Sequence, residues 1–402
     1  MNRKIAISMV ILINSLSMNC FSHGVLPVSV QEDPDRLIQF PDTKFHKTLI
    51  LDPHTHSTFS DGHVWPTIRV SEALKDGLDA IAITEHLEWQ PHLADIRHPD
   101  RNRSYNIAVE ANGENDLMVI PGAEITRNAP AGHINALFLQ DANLLLPEFT
   151  PTDPGDTLAY YREMNKWPDQ NVINAANEQG AFLFWNHAWW GRDFPNGLPI
   201  AAEFHKFNAE KKLIHGIEIA NGSSYSEEAF QIALDLDLTL MGVSDIHNLI
   251  DWDFPPAQGR HRPVTLVLAE NRSQAAIRAA LFKGRTIVWF NNLLIGHKPH
   301  LDELLAASLE ISDARYIDKS QILQVEISNH SDADFQVSNN SQYTFTSHAD
   351  LLSIKPHQTT TIGVKTGTRV KQINLQFKVL NALIKPKQTA QVNLSSSVEN
   401  SD

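Results

Sequence analysis

The chain of 402 residues holds one cysteine, Cys20. No disulfide can form within it, and no thiolate pair can ligate a metal. It has no Gly-x-Ser-x-Gly turn and no P-loop, so serine-hydrolase and P-loop phosphoryl chemistry have no seat. It lacks a long apolar run. The apolar stretch from Ile5 to Leu16 is too short to cross a bilayer as a stable helix. Basic residues are also short, 33 against 47 acidic ones, for a formal net charge of −14. That balance disfavours general binding to nucleic acid, whose attraction rests on phosphate neutralisation. A small phosphorylated substrate stays open, because bound metal ions can supply local positive charge.

Residues 1–22 read as a secretory signal. Arg3 and Lys4 form a charged start, Ile5 to Leu16 an apolar core, and Cys20-Phe21-Ser22 places small residues at −3 and −1 of a cut after Ser22. The expected location is periplasmic or secreted, with no integral membrane segment in the mature chain. A lipid anchor through Cys20 is the rival, and Asn19 before it fits that pattern poorly.

The length suits two domains. Within residues 23–291, strand-like runs at 48–52, 80–84, 117–121, 134–139, 181–185, 216–220, 239–243, 263–268 and 286–290 are interleaved with amphipathic stretches at 66–76, 104–114, 171–179, 226–235 and 273–283. Gly77, Gly180 and Gly284 fall where helices should stop. Strands alternating with helices predict an α/β layer or barrel with mostly parallel strands. Residues 292–309 read as a connection with a short helix, His300 to Leu309. Over 310–395 the pattern changes to alternating apolar and polar positions, as in "QVEIS" and "INLQFKVL", which predicts a small antiparallel β-sandwich.

Chemistry gathers after the strand-like runs. "LILDPHTHSTFSDG" carries His54 and His56, which share a face because strand side chains alternate, and then Asp61 in a turn. "AIAITEH" ends in His86, and "LMVIPGAEIT" carries Glu124. "GHINAL" opens with His133, "FLFWNHAWW" carries His187, and "VSDIH" carries Asp245 and His247 on one face. In α/β folds the carboxyl ends of the strands form the active-site edge. His133, at a strand start, is the exception to that placement.

The motifs "DPHTHSTFSDG", "ITEH", "PGAEIT", "GHINAL", "WNHAWW" and "VSDIH" together resemble those of the PHP (polymerase and histidinol phosphatase) family, over about residues 48 to 290. The resemblance implies a distorted (β/α)7 barrel holding two or three metal ions, and hydrolysis of phosphomonoesters or phosphodiesters. With a leader and a trailing β-domain, the chain is most similar to exported bacterial PHP phosphodiesterases acting on organophosphate diesters. By resemblance, His54, His56, Glu124 and Asp245 hold one metal. Glu124, His133 and His187 hold a second, with Glu124 bridging, and Asp61, His86 and His247 a third.

Imidazole and carboxylate donors without sulfur suit zinc, manganese or iron. A water between two such ions would lose a proton near neutral pH and attack phosphorus in line with the leaving oxygen. A phosphodiester is the expected substrate, a phosphomonoester the alternative. An amidohydrolase-like hydrolase and an exported binding protein with a structural metal are the more distant readings. Among softer expectations, Arg127 would clamp a phosphoryl oxygen, or else make a surface salt bridge. His63 would protonate the leaving group. Trp185, Trp189 and Trp190 would wall an apolar pocket, with core packing the equal alternative for Trp185. Asp52 would orient a ligand imidazole or cap a strand end.

Overall fold

A computed structural model describes residues 36–147, 149, 153–317 and 319–398. The expected leader, residues 1–22, lies outside them. From residue 47 the elements run β1 (Lys47–Asp52), α1 (Pro66–Lys75), β2 (Ala80–Ile83), α2 (Arg103–Asn112), β3 (Met118–Thr126), β4 (His133–Leu137), α3 (Thr157–Met164), α4 (Asp169–Glu178), β5 (Phe182–Trp185), α5 (Glu203–Glu210), β6 (Gly216–Asn221), β7 (Ser224–Tyr225), α6 (Glu227–Asp235), β8 (Thr239–Val243), α7 (Ile250–Asp253), β9 (Val264–Ala269), α8 (Gln274–Phe282) and β10 (Thr286–Phe290). All nine apolar runs became strands. Such runs are buried on both faces, which is why they lack alternation. Gly77, Gly180 and Gly284 all have positive φ at helix ends, where a residue without Cβ is least strained.

Parallel pairing joins β1–β2–β3 in one block and β5–β6–β8 in another. Antiparallel β4 bridges the blocks, pairing β3 on one side and β5 on the other. This explains His133. Because β4 runs against its neighbours, its first residue lies at the edge where the parallel strands end, and Thr126 is directly opposite His133.

The far side is closed irregularly. β9 pairs antiparallel with β1 and β10. Toward β8 no backbone ladder forms among the described residues. Instead the Thr265 hydroxyl donates to the Gly242 carbonyl at 2.8 Å and accepts from the Gly242 amide at 3.0 Å. A Cβ on Gly242 would lie 2.4 Å from Val288 Cγ1, so this seam needs glycine. At the site edge the ring is laced directly. Asp245 N donates to His54 O at 3.0 Å, and His56 N to Ile246 O at 3.1 Å.

The segment after β10 is more than a connection. β11 (Leu293–Gly296) pairs antiparallel with β10 and precedes α9 (Lys298–Ser308). The C-terminal strands are β12 (Leu309–Tyr316), β13 (Ile322–Asn329), β14 (Phe335–Asn339), β15 (Thr344–Phe345), β16 (Leu351–Ile354), β17 (Thr359–Lys365), β18 (Gln372–Lys385) and β19 (Gln388–Ser397). They form two antiparallel layers, β16-β14-β18-β19 and β12-β13-β17-β15. β11 also pairs parallel with β18, so one layer continues the barrel sheet. Inward residues such as Val325, Ile327, Val337, Phe377 and Val379 are buried in the core, and the alternation of exposure along β18 follows from the two-residue strand period.

Candidate metal centre

Seven of the nine donors expected from the sequence line one cavity, and His54 and His56 are buried against them. Glu124 stands at the middle. Its Oε2 lies 2.8 Å from His86 Nδ1, 3.2 Å from His56 Nε2 and 3.4 Å from His54 Nε2. Its Oε1 lies 3.0 Å from His133 Nδ1 and 3.5 Å from His187 Nε2, and accepts from Asn186 Nδ2 at 2.8 Å. Asp245 Oδ1 is 3.2 Å from His54 Nε2 and 3.1 Å from His56 Nε2. Asp61 meets His247 Nε2 at 3.1 Å and His86 Nε2 at 3.5 Å.

Three sets have donor atoms mutually within 4.8 Å: His54, His56 and Asp245; His86, Glu124 and His133; and His56, Asp61, His86 and His247. This partition differs from the one the resemblance implies. His86 joins Glu124 and His133 as well as Asp61 and His247, while His187 stays outside the three sets with its Nε2 3.5 Å from Glu124 Oε1.

The turn that delivers Asp61 depends on Gly62. Its amide donates to Ser57 O at 3.0 Å, and a Cβ there would lie 2.8 Å from backbone atoms of His56 and Ser57.

Burial opposes charge on these groups, yet their neighbours override it at most positions. Against its own desolvation, Asp61 is held well below the usual carboxylate range by the adjoining imidazoles of His247 and His86. Glu124 and Asp245 are held down as well, the first chiefly by His86 and His54, the second by His54 and His56. In return the imidazoles of His54, His86, His187 and His247 are raised despite burial. Burial wins at His133 and lowers it to about 4. The carboxylates therefore demand positive charge in a confined volume. Imidazole protons can supply it, and metal ions can displace those protons. Glu124 Oε2 and Asp61 Oδ1 are buried without a well-formed hydrogen bond. Unsatisfied buried acceptors inside a ring of imidazoles fit a divalent cation.

Glu218 is a participant the motifs did not reveal. It is fully buried on β6, and its carboxylate accepts from His54 Nδ1 at 2.7 Å, from the His187 amide at 2.6 Å and from Asn221 Nδ2 at 2.9 Å. A carboxylate can only accept, so Glu218 keeps the proton on Nδ1 and turns Nε2 toward Glu124 and Asp245. Asn221 also donates to Asp245 Oδ2 at 3.0 Å. The one available signal was a lone charged residue inside the apolar strand "GIEIAN".

Two expectations need correction, those for Arg127 and His63, and at Asp52 and Trp185 the structure chooses between readings left open. Arg127 is buried, its Nε 3.0 Å from Glu88 Oε1 and its Nη1 donating to the carbonyls of Met164 and Trp167. It holds loops together and does not line the cavity. His63 is exposed, turns its ring to Asn248 Oδ1 at 2.7 Å, and is likewise absent from the wall. Asp52 orients no imidazole. It accepts from Ser244 N at 3.1 Å and Ser244 Oγ at 2.6 Å, and pairs with buried Arg262, anchoring the exit of β8. Trp185 is core, stacked on His205 with centroids 3.7 Å apart.

The cavity above the donors measures about 730 Å³. Its outer wall is apolar, with Trp89, Leu158, Trp189 and Trp190, and Arg192 is the one Lys or Arg side chain among the lining residues.

A crystal structure from Bacteroides vulgatus ATCC 8482 is similar to this chain over 90% of its length and 98% of that protein's, with 34% identity and a TM-score of 0.78. It is described as a two-domain protein containing a predicted PHP-like metal-dependent phosphoesterase. A candidate metal-dependent phosphoesterase from Bifidobacterium adolescentis matches over 57% of this chain and 95% of its own, at 19% identity and a TM-score of 0.37. An amidohydrolase from Chromobacterium violaceum matches over 49% and 87%, at 15% identity and a TM-score of 0.33. A family model described as an Ig-like domain matches residues 309–395. No curated protein matches. With its donors gathered at one barrel edge and an Ig-like domain behind, the chain belongs to the family of PHP-like metal-dependent phosphoesterases.

Proposed function

We propose that the chain hydrolyses phosphodiesters, with two or three zinc, manganese or iron ions held by His54, His56, Asp61, His86, Glu124, His133, His187, Asp245 and His247. The observation that carries this reading is a single buried carboxylate, Glu124, surrounded by five imidazoles on the floor of an open cavity. A purely structural centre would be enclosed by protein donors. When bound, the ions supply Lewis acidity and a water acidic enough to act near neutral pH.

The chain's own residues do the rest. Glu218 fixes the tautomer of His54, Asn221 steadies Asp245, and the indoles of Trp189 and Trp190 exclude water from one wall. The charge of the wall favours a diester. A monoester dianion calls for extra cations around it, and Arg192 is the one such side chain in the lining. A diester carries one negative charge and needs room for a second ester group, which about 730 Å³ provides.

The test is hydrolysis of bis(p-nitrophenyl) phosphate beside p-nitrophenyl phosphate, by protein reconstituted with each metal in turn. The diester should turn over faster, and an His54→Ala, Asp245→Ala double variant should lose that activity. Turnover of the monoester alone would overturn the diester reading.

A further inference from the structure

Three separate connections build one rim around the cavity mouth. Trp89 comes from the loop after β2, Tyr161 from α3, and Trp190 and Arg192 from the loop after β5. Asn128, after β3, ties two of them together. Its Oδ1 accepts from the Tyr161 hydroxyl at 3.1 Å and from Arg192 Nη2 at 3.3 Å. The Trp89 and Tyr161 rings meet edge to face at 6.3 Å. Trp190 joins this rim to the donor floor: its ring centroid is 5.0 Å from that of His133 and 5.4 Å from that of His187.

Arg192 stands out electrostatically. Its guanidinium carbon lies over the Trp190 ring at 5.5 Å. No described carboxylate comes within the 4.0 Å ion-pair distance of it, Asp193 included. The floor carboxylates Asp61, Glu124 and Asp245 pair with imidazoles instead. A guanidinium over an indole, beside the Tyr161 hydroxyl and bound through Nη2 to a neutral amide, keeps other N–H groups for an oxyanion.

We propose that Trp89, Tyr161, Trp190 and Arg192 form a subsite for a planar aromatic ester arm that carries an acidic group. The aromatic plane packs among the rings while Arg192 grips the acid. This rests on the phosphoesterase reading above and adds the chemical class of the arm.

The test uses the metal-loaded full chain and three phosphonates that cannot be hydrolysed as esters: methylphosphonate, phenylphosphonate and 4-carboxyphenylphosphonate. Affinities are read by calorimetric titration. Phenylphosphonate should bind roughly tenfold more tightly than methylphosphonate, the scale of one aromatic stack. The carboxyl group should add roughly another tenfold, the scale of a charge-assisted hydrogen bond. Trp190→Ala should abolish the phenyl gain. Arg192→Ala should abolish the carboxyl gain and keep the phenyl gain, and Arg192→Lys should restore part of it. Both residues are exposed, so these variants should fold. Equal affinity for methyl and phenyl probes would overturn the subsite. So would an Arg192→Ala variant that weakens all three probes alike, which would place Arg192 on the phosphoryl group. Bis(p-nitrophenyl) phosphate hydrolysis separates the two failures. Retained turnover with no phenyl preference removes the subsite alone. No turnover and no phosphonate binding removes the phosphoesterase reading and the subsite with it.

Discussion

Replacing Glu218 by glutamine changes one atom type in a fully buried site and should disable a ligand 2.7 Å away. The carboxylate serves three donors, His54 Nδ1 through one oxygen and the His187 amide and Asn221 Nδ2 through the other. Glutamine offers one acceptor oxygen. If that oxygen faces His187 and Asn221, the new NH2 faces His54. The imidazole must then accept at Nδ1 and carry its proton on Nε2, the atom aimed at Glu124 and Asp245. A protonated Nε2 cannot bind a metal. If the amide is flipped, its NH2 meets two donors, and each unsatisfied buried group costs about 1–3 kcal/mol. Losing an outer partner of a ligating histidine typically costs about 10–100-fold in metal affinity. Glu218→Gln should therefore weaken metal binding by that factor, read by chelator competition. NMR of the imidazole nitrogens should show His54 in the other tautomer. Metal affinity within threefold of wild type, with the His54 tautomer unchanged, would refute the reasoning.

Other outcomes follow from the same geometry. Gly62→Ala should destabilise by about 1–3 kcal/mol, as overpacking does, because the added methyl meets the backbone of His56 and Ser57; urea unfolding measures it, and metal bound near Asp61 should weaken in parallel. Arg127→Met should cost about 3–5 kcal/mol, the range for stranding one partner of a buried pair, here Glu88; if enough folds to assay, KM for the diester should not change, and a large rise in KM would restore a substrate role to Arg127. His205 is buried against Trp185, and desolvation lowers it to about 4. The unfolded chain then binds more protons between about pH 6.5 and 4, so this stabilisation is complete above about 6.5 and is lost as pH falls toward 4. The stability difference between wild type and His205→Gln, measured on metal-free protein, should shrink across that window; a pH-independent difference would contradict the shift.

How much was legible follows from what kind of information each feature needs. The nine donors could be found because each follows or opens an apolar run, and the two-residue strand period assigns its face without knowledge of neighbours. The same period reveals the β-sandwich. The helices α3 and α5 were missed, since each has only eight residues, about two turns, too few to set a helical period. β11 was missed because four residues between a turn and a helix carry too little pattern, and its partners are β10 and distant β18.

By itself, then, the sequence determined the α/β order, the trailing β-domain and the set of groups that could meet a metal. Only the tertiary structure decided their neighbours. It reversed β4 so that His133 reached the common edge, grouped His86 with Glu124, and gave His54 its orienting partner 164 residues away. It also buried Arg127 against Glu88 and left Arg192 facing the cavity. The physical reason is that periodicity encodes which way a side chain points from its own strand. Which group it then meets depends on register and pairing between segments far apart in the chain.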